Sequence, residues 1–273
     1  MECCAILTGF TEMSVNLPEP IKAVLSGFGS SGENLKTASE SDVFRYVHAD
    51  TWVVVFIKIQ RPSWSPPLSI ERDAMAWLDQ KLSVPEVVAY CEEDSVEYLV
   101  TKALPGISSH ERSCHGNKQR LVEQLAESLH TIHALPTQDC PFDRTPRTLI
   151  AGGRDRIEAE LITTEMVADE ELTGSPGEAL DELERRIPNL EGPVTTHGDY
   201  CLPNVMIHDN QISGFIDLGY LGIGDPYRDF VAAQYSIRRN LGEEWVQPFF
   251  DAYGRKSLDE EKLQWYRQIQ TFV

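Results

Sequence analysis

His197-Gly198-Asp199-Tyr200-Cys201-Leu202-Pro203-Asn204, followed further on by Phe215-Ile216-Asp217-Leu218-Gly219, is the stretch that decides the fold. Between the two runs lie Val205-Met206-Ile207-His208, the polar pair Asp209-Asn210, and Ile212-Ser213-Gly214. Two apolar runs around a polar tip predict a β-hairpin. A hairpin brings its open ends together, so Asn204 and Asp217 become neighbours, with Asp199 on the loop leading in. Two metal-binding oxygens and one free carboxylate are thereby gathered in a small space. Phosphoryl transfer needs these parts: a divalent cation to bridge the phosphates, and a carboxylate to orient the acceptor hydroxyl and take its proton. Hard oxygen ligands suit Mg²⁺.

Upstream of this centre the chain is mostly strand-like. Val43 to Val47 and Trp52 to Ile59 flank a polar turn at His48-Ala49-Asp50, and Val84 to Tyr90 and Val96 to Thr101 turn at Glu93-Asp94. Both pairs read as hairpins. A short helix over 17–26 opens with prolines and ends at Gly27, and another runs from about Ser69 to Lys81. Past Leu104-Pro105-Gly106 the pattern becomes helical: 119–134, 154–187 with an interruption at Gly174-Ser175-Pro176-Gly177, 244–253 and 258–271. A β-rich part followed by an α-rich part predicts an α+β chain of two lobes, 1–103 and 104–273.

Composition sets limits on function. The 273 residues are 41% hydrophobic and 25% charged, enough for a sizeable core. A formal net charge of −19 argues against nucleic acid, which would be repelled, and marks an acidic soluble surface that would also attract a cationic small substrate. No apolar run approaches the roughly 18 residues of a membrane span, and the N-terminus lacks the basic region of a secretory signal. Cys3 and Cys4 have no second lipid-anchor signal beside them, and no two of the six cysteines show zinc spacing. A cytoplasmic protein with free thiols is expected. His130 and His133 stand at i and i+3 with no further ligand nearby and read as structural. Gly27-Phe28-Gly29-Ser30-Ser31-Gly32 matches G-x-G-x-x-G, but it follows a helix and opens none, so it is not read as a phosphate loop.

The 197–219 stretch resembles the catalytic loop and metal-binding segment of the aminoglycoside phosphotransferases, which share the protein-kinase fold with its H-x-D-x-x-x-x-N and D-x-G logic. Gly214-Phe215-Ile216-Asp217-Leu218-Gly219 with Gly222, Asp225 and Asp229, and Ser236-Ile237-Arg238 before Leu241-Gly242-Glu243-Glu244, resemble the 3′-phosphotransferase branch in particular. The resemblance spans roughly residues 35 to 273. It implies an ATP-dependent enzyme with Asp199 as catalytic base and Asn204 and Asp217 as Mg²⁺ ligands. It also implies Lys58, on the strand Val53-Val54-Val55-Phe56-Ile57-Lys58, at the α- and β-phosphates and paired with Glu71. Ser39 then lies near the phosphates, and the carbonyl of Lys102 and the N–H of Leu104 hold adenine.

The same resemblance implies an acidic pocket for the acceptor's ammonium groups. Asp169, Glu170, Glu171 and the terminal carboxylate of Val273 fit it. Arg239 and Asn240, and Gln270 and Thr271, stand where acids are expected, and Tyr220 stands where an Arg is usual. The resemblance thus implies a hydroxylated small molecule as acceptor, with acids present that suit a cationic one. The alternatives are a kinase of a less cationic metabolite or antibiotic, and a nucleotide-binding pseudokinase acting as an interaction module. A protein kinase is disfavoured because the segment after Asp217 is short and lacks an A-P-E-like end.

Overall fold

The computed structural model describes residues 12–13, 17–29, 32–35, 41–63, 65–190 and 192–273. The N-terminal part is a six-stranded antiparallel sheet. Its strands are β1 (Glu12–Met13), β2 (Gly32–Leu35), β3 (Asp42–Val47), β4 (Val54–Gln60), β5 (Val87–Glu93) and β6 (Val96–Lys102), in the order β1-β2-β3-β4-β6-β5. Two helices accompany it, α1 (Glu19–Val24) and α2 (Leu68–Leu78).

Side chains alternate across a strand. On β4, Val55, Ile57 and Ile59 are buried on one face with Phe44 and Tyr46 of β3 and Ile21 of α1. That parity turns Lys58 to the opposite face, towards α2. The α2 stripe Leu68, Glu71, Ala74, Met75, Leu78 is the helix's buried side, and it puts one carboxylate among apolar neighbours. Helix α2 starts behind Pro67 and has no side-chain cap of its own. Its first amides are capped from the sheet instead: the Glu97 carboxylate on β6 accepts from Leu68 N at 2.9 Å and Ser69 N at 3.0 Å, and from the Tyr90 hydroxyl at 2.7 Å.

The C-terminal part is mainly helical. In chain order it contains β7 (Ile107–Ser108), α3 (Lys118–His133), α4 (Pro146–Glu158), α5 (Thr164–Asp169), α6 (Pro176–Arg185), β8 (Val194–Thr196), β9 (Val205–His208) and β10 (Gln211–Phe215). It continues with β11 (Gly222–Gly224), α7 (Tyr227–Asn240), α8 (Val246–Tyr253) and α9 (Glu260–Ile269). Leu121, Val122, Leu125, Leu129 and Ile132 of α3 face a core that also takes in Phe230, Phe249, Trp265 and Phe272. Leu68, Ala74, Met75, Leu78 and Leu99 join that same core, so α2 packs across the junction of the two parts. At that junction Gly106 has φ +102°, and a Cβ there would lie 2.0 Å from the carbonyl oxygen of Ile207. Only glycine lets the connector run so close to β9.

The helical reading of 154–187 is corrected in two places. The first helix begins at Pro146, a proline in the first turn, and it ends at Glu158. A further break follows, with Glu160 at φ +59° and α5 starting behind the Thr163 cap. The Gly174-Ser175-Pro176-Gly177 interruption is the start of α6, where Ser175 and Glu178 form a capping box. The Gly27–Gly32 motif is split between the end of the α1 turn, where Gly27 packs on His48, and the start of β2; its Ser30 and Ser31 lie outside the described residues. Among the described residues no helix is long and apolar enough to cross a membrane.

Candidate active site

Strand β8 delivers the chain into the loop 197–201, and a single turn over Leu202–Asn204 leads into the β9–β10 hairpin. Gly198 sits at φ +88°, with the carbonyl oxygen of Tyr220 packed where a Cβ would be, 2.2 Å away. The loop is held from behind by Asp229, on the first turn of α7 and fully buried. Its carboxylate accepts from His197 N at 2.8 Å, Gly198 N at 2.7 Å and His133 Nε2 at 3.0 Å. Burial alone would raise this carboxyl; the bond from His133 and its charge, with further help from His197 and the Gly198 amide, bring it below the usual range. His133 is buried in the helical core with Nδ1 2.7 Å from the Tyr253 hydroxyl, and the exposed His130 packs its ring 5.6 Å from the Tyr253 ring.

Asp199 and Asn204 face each other at the front of this loop. The side-chain amide of Asn204 donates to Asp199 Oδ2 at 2.9 Å and to the Asp199 carbonyl at 3.0 Å. Both partners can only accept, which fixes the amide's orientation and leaves Asn204 Oδ1 as its outward end. Asp199 Oδ1 takes no hydrogen bond among the described residues. Burial and the nearby charge of Asp217 raise the Asp199 carboxyl; His197 and the Asn204 bond pull it part of the way back.

The hairpin closes as its sequence requires, with Ile216 N donating to the Asn204 carbonyl at 3.0 Å. Asp217 follows at φ +63°, and its Oδ1 lies 2.8 Å from Lys58 Nζ. The same ammonium donates to both oxygens of Glu71 at 2.8 Å. Lys58 therefore bridges two carboxylates. Lys58 draws the Asp217 carboxyl below its usual range against the effect of burial. Burial would lower the Lys58 ammonium, but Asp217 and Glu71 together hold it above its ordinary value. Burial raises the Glu71 carboxyl, and Lys58 opposes the rise. With three contacts at 2.8 Å, the ionised arrangement is the one the geometry supports.

Five of the expected residues, Lys58, Glu71, Asp199, Asn204 and Asp217, are thus joined by direct contacts or the hairpin ladder. Lys102 ends β6, and Leu104 lies just past it, with no backbone hydrogen bond from its amide among the described residues. Ser39 lies outside the described residues. The expected acceptor acids sit at the end of α5 and in the following turn, against α9. Arg267 reaches Glu171 at 3.1 Å and Glu170 at 3.5 Å, and Gln268 donates to the Glu170 carbonyl at 3.0 Å. Asp169 closes α5. Arg239 is exposed near the end of α7, 3.5 Å from the Tyr235 hydroxyl, and Val273 follows the buried Phe272.

The sequence reading gave no role to Asp229 or Glu97. The signal for Asp229 was present: an acid in the first turn of a helix, directly before the apolar run Phe230-Val231-Ala232-Ala233.

The oxygens left outward, one from Asn204 and one from Asp217, fit Mg²⁺, which completes its shell from water and phosphate. Among the described residues no group of three or more His, Cys, Asp or Glu side chains is placed to hold a metal by itself.

A family model described as the phosphotransferase enzyme family (APH) matches residues 34–266. An aminoglycoside 3'-phosphotransferase of Niallia circulans is 31% identical over 267 residues, 97% of this chain and 94% of that protein. The streptomycin 3''-kinase of Streptomyces griseus is 31% identical over 258 residues, 89% and 93% of the two chains. The crystal structure of an aminoglycoside-3'-phosphotransferase of type VIII superposes with a TM-score of 0.73 at 26% identity, covering 85% of this chain and 88% of that one. That of the phosphotransferase APH(3'')-Id from Streptomyces rimosus, in complex with ADP and streptomycin, gives 0.69 at 28% identity, covering 85% and 90%.

Proposed function

The chain belongs to the APH phosphotransferase enzyme family, and from that membership we propose that it is an ATP-dependent kinase that phosphorylates a hydroxyl of an aminoglycoside, with Asp199 as the base. The observation that carries the residue assignment is the single connected set Glu71–Lys58–Asp217 beside Asn204–Asp199, built from both parts of the fold. Asp199 Oδ1 is the open oxygen; it accepts the acceptor's hydroxyl proton as the hydroxyl oxygen bonds to the γ-phosphorus and the bond to the β-phosphate oxygen breaks, releasing ADP. Its Oδ2 is fixed by Asn204, so the proton is taken at a defined position. Asn204 and Asp217 hold the magnesium ion. When bound, Mg²⁺ neutralises charge that develops on the phosphate oxygens. Lys58 contacts the nucleotide phosphates, with Glu71 orienting it, and the Lys102 carbonyl and Leu104 amide take adenine.

Lys58→Ala tests the nucleotide side. It removes one preorganised cation from the α- and β-phosphates, where charge builds up as the γ-phosphoryl leaves, an effect of about 10²–10³-fold in kcat. The affinity for ADP changes far less, because adenine is held at the connector. Steady-state kinetics with calorimetry checks this; a defect in affinity alone, with kcat unchanged at saturation, contradicts it.

On the acceptor side the acids Asp169, Glu170 and Glu171 and the carboxylate of Val273 meet ammonium groups. Arg267 already neutralises part of that charge, Arg239 adds a positive one, and Gln270 and Thr271 carry none. A pocket with few unpaired acids favours an acceptor with fewer cationic groups than kanamycin or neomycin. The net charge of −19 steers polycations to the protein, but steering sets encounter and not fit. The experiment is kcat/KM across kanamycin, neomycin, streptomycin and less basic hydroxylated antibiotics. The expected order puts kanamycin and neomycin last; kanamycin turned over at about 10⁴–10⁸ M⁻¹s⁻¹ overturns it. Arg239→Glu then improves whatever kanamycin turnover exists. The weakened acidity of the pocket also favours a second reading, a less cationic hydroxylated metabolite, which the same panel tests by including sugars and nucleosides.

A further inference from the structure

The segment that follows Asp217 is held by two guanidinium groups that the mechanism above does not use. Arg144, just before α4, donates through Nη2 to the Gly219 carbonyl at 3.0 Å and through Nε to the Leu221 carbonyl at 3.4 Å. Arg228, at the start of α7, donates through Nη1 to the Tyr220 carbonyl between them at 2.8 Å. Three successive carbonyls are thus taken by two side chains from separate elements. We infer that Arg144 and Arg228 are positioning residues for phosphoryl transfer, fixing the backbone of 219–221 so that Asp217 and Asp199 stay in register.

The middle carbonyl is the link. The Tyr220 oxygen that Arg228 holds is the atom packed against Gly198, the residue before Asp199. The next residue in sequence, Asp229, holds the amides of His197 and Gly198. One turn of helix therefore grips the catalytic loop with a carboxylate and the metal-side segment with a guanidinium. Arg144 is itself located by backbone: its amide donates to Ile223 O at 2.8 Å, Ile223 N donates to Phe142 O at 2.8 Å, and Gly222 lets the two stretches approach. Burial lowers the Arg228 guanidinium to about 10 and the charge of Arg144 adds to the fall, with Asp229 and Asp199 opposing it, and neither arginine forms a direct ion pair with a carboxylate among the described residues. Arg228 is buried and Arg144 half-buried, and stability alone does not favour placing two such cations near each other without a direct carboxylate partner. The Arg228 guanidinium lies 5.7 Å from the Tyr220 ring centre, so α7 supplies a cation to this segment.

The inference rests on the reading of Asp199 and Asp217 given above. The test compares Arg144→Gln, Arg144→Lys, Arg228→Gln, Arg228→Lys and Asp217→Asn with the wild type. The measurements are kcat on the aminoglycoside turned over fastest, ADP affinity by calorimetry with and without Mg²⁺, and the urea midpoint. Displacing the two carboxylates by about an ångström costs about 10²-fold in kcat, which is the fall expected for both Gln variants. The gain in ADP affinity on adding Mg²⁺ shrinks, and metal-free ADP affinity holds. Arg228→Lys recovers most of the loss because one donor serves its one carbonyl; Arg144→Lys recovers little because an ammonium cannot span two. Gln variants with a lowered urea midpoint but wild-type kcat and an intact Mg²⁺ effect overturn the inference. If Arg228→Gln does not fold, Arg144→Gln decides by the same readings. If Asp217→Asn leaves the Mg²⁺ effect intact, the metal assignment fails, while a fall in kcat in the Gln variants still upholds the clamp.

Discussion

Replacing Asp199 with Asn leaves a folded protein that binds ATP and transfers almost no phosphate. The expected fall in kcat is about 10²–10⁴-fold, the range for loss of a positioned general base. The fold survives because an amide oxygen at the same place still accepts from Asn204, which donates to Asp199 Oδ2 at 2.9 Å in the native protein. Nucleotide affinity survives because the metal-side oxygens and the Lys58 contacts are untouched. The pH profile follows from the same group. The base works only when ionised, and burial followed by the charge of Asp217 raises the Asp199 carboxyl above the ordinary aspartate range. Wild-type kcat therefore climbs with pH through that raised value and then levels. Asp199→Asn loses the climb along with the rate. Near wild-type turnover in this variant, measured by coupled ADP release at saturating substrates, sinks the assignment.

Asp229→Ala is expected to be the most destabilising of the single changes considered. It strips the acceptor from three buried donors, His197 N, Gly198 N and His133 Nε2, at a site with no solvent access. Breaking a buried pair by removing one partner costs about 3–5 kcal/mol, a large share of the roughly 5–15 kcal/mol that holds a domain together. Asp229→Asn keeps one accepting oxygen and should fall between. The sign of the pH dependence is fixed by the depressed carboxyl, whose burial is outweighed by the His133 bond and charge. Its contribution is complete above the unfolded aspartate value of about 3.9 and is lost as pH falls through the lower folded value. Urea unfolding curves of wild type and Asp229→Ala should thus be far apart at neutral pH and converge in acid. Equal midpoints at neutral pH contradict the anchoring role.

Much of this was legible along the chain because the chemistry is local. Asp199, Asn204 and Asp217 fall on one loop and one hairpin, so spacing alone brings them together. The roles of Lys58 and Glu71 came from the family resemblance, and in the fold strand parity turns Lys58 away from Ile57 and Ile59 while Glu71 falls on the buried stripe of α2. What stayed hidden is which distant group satisfies which charge. Glu97 caps a helix that begins at Leu68, Asp229 holds a loop that starts at His197, and Arg267 offsets Glu170 and Glu171 from the far end of the sequence. These pairings are set by packing between elements, and no periodicity records them. The break after Glu158 escaped for a related reason: the residues around it are adequate helix formers, and the turn is imposed by a left-handed Glu160 and the Thr163 cap.

The cap that Glu97 lends to α2 has a bearing on control. A helix whose first amides are tied to a side chain of β6 cannot swing out without giving up both amide bonds and disturbing the Tyr90 bond to the same carboxylate. Glu71 rides on that helix, so its grip on Lys58 has no cheap released position. Letting go of Lys58 by a swing of α2 therefore carries the added cost of uncapping the helix at Glu97.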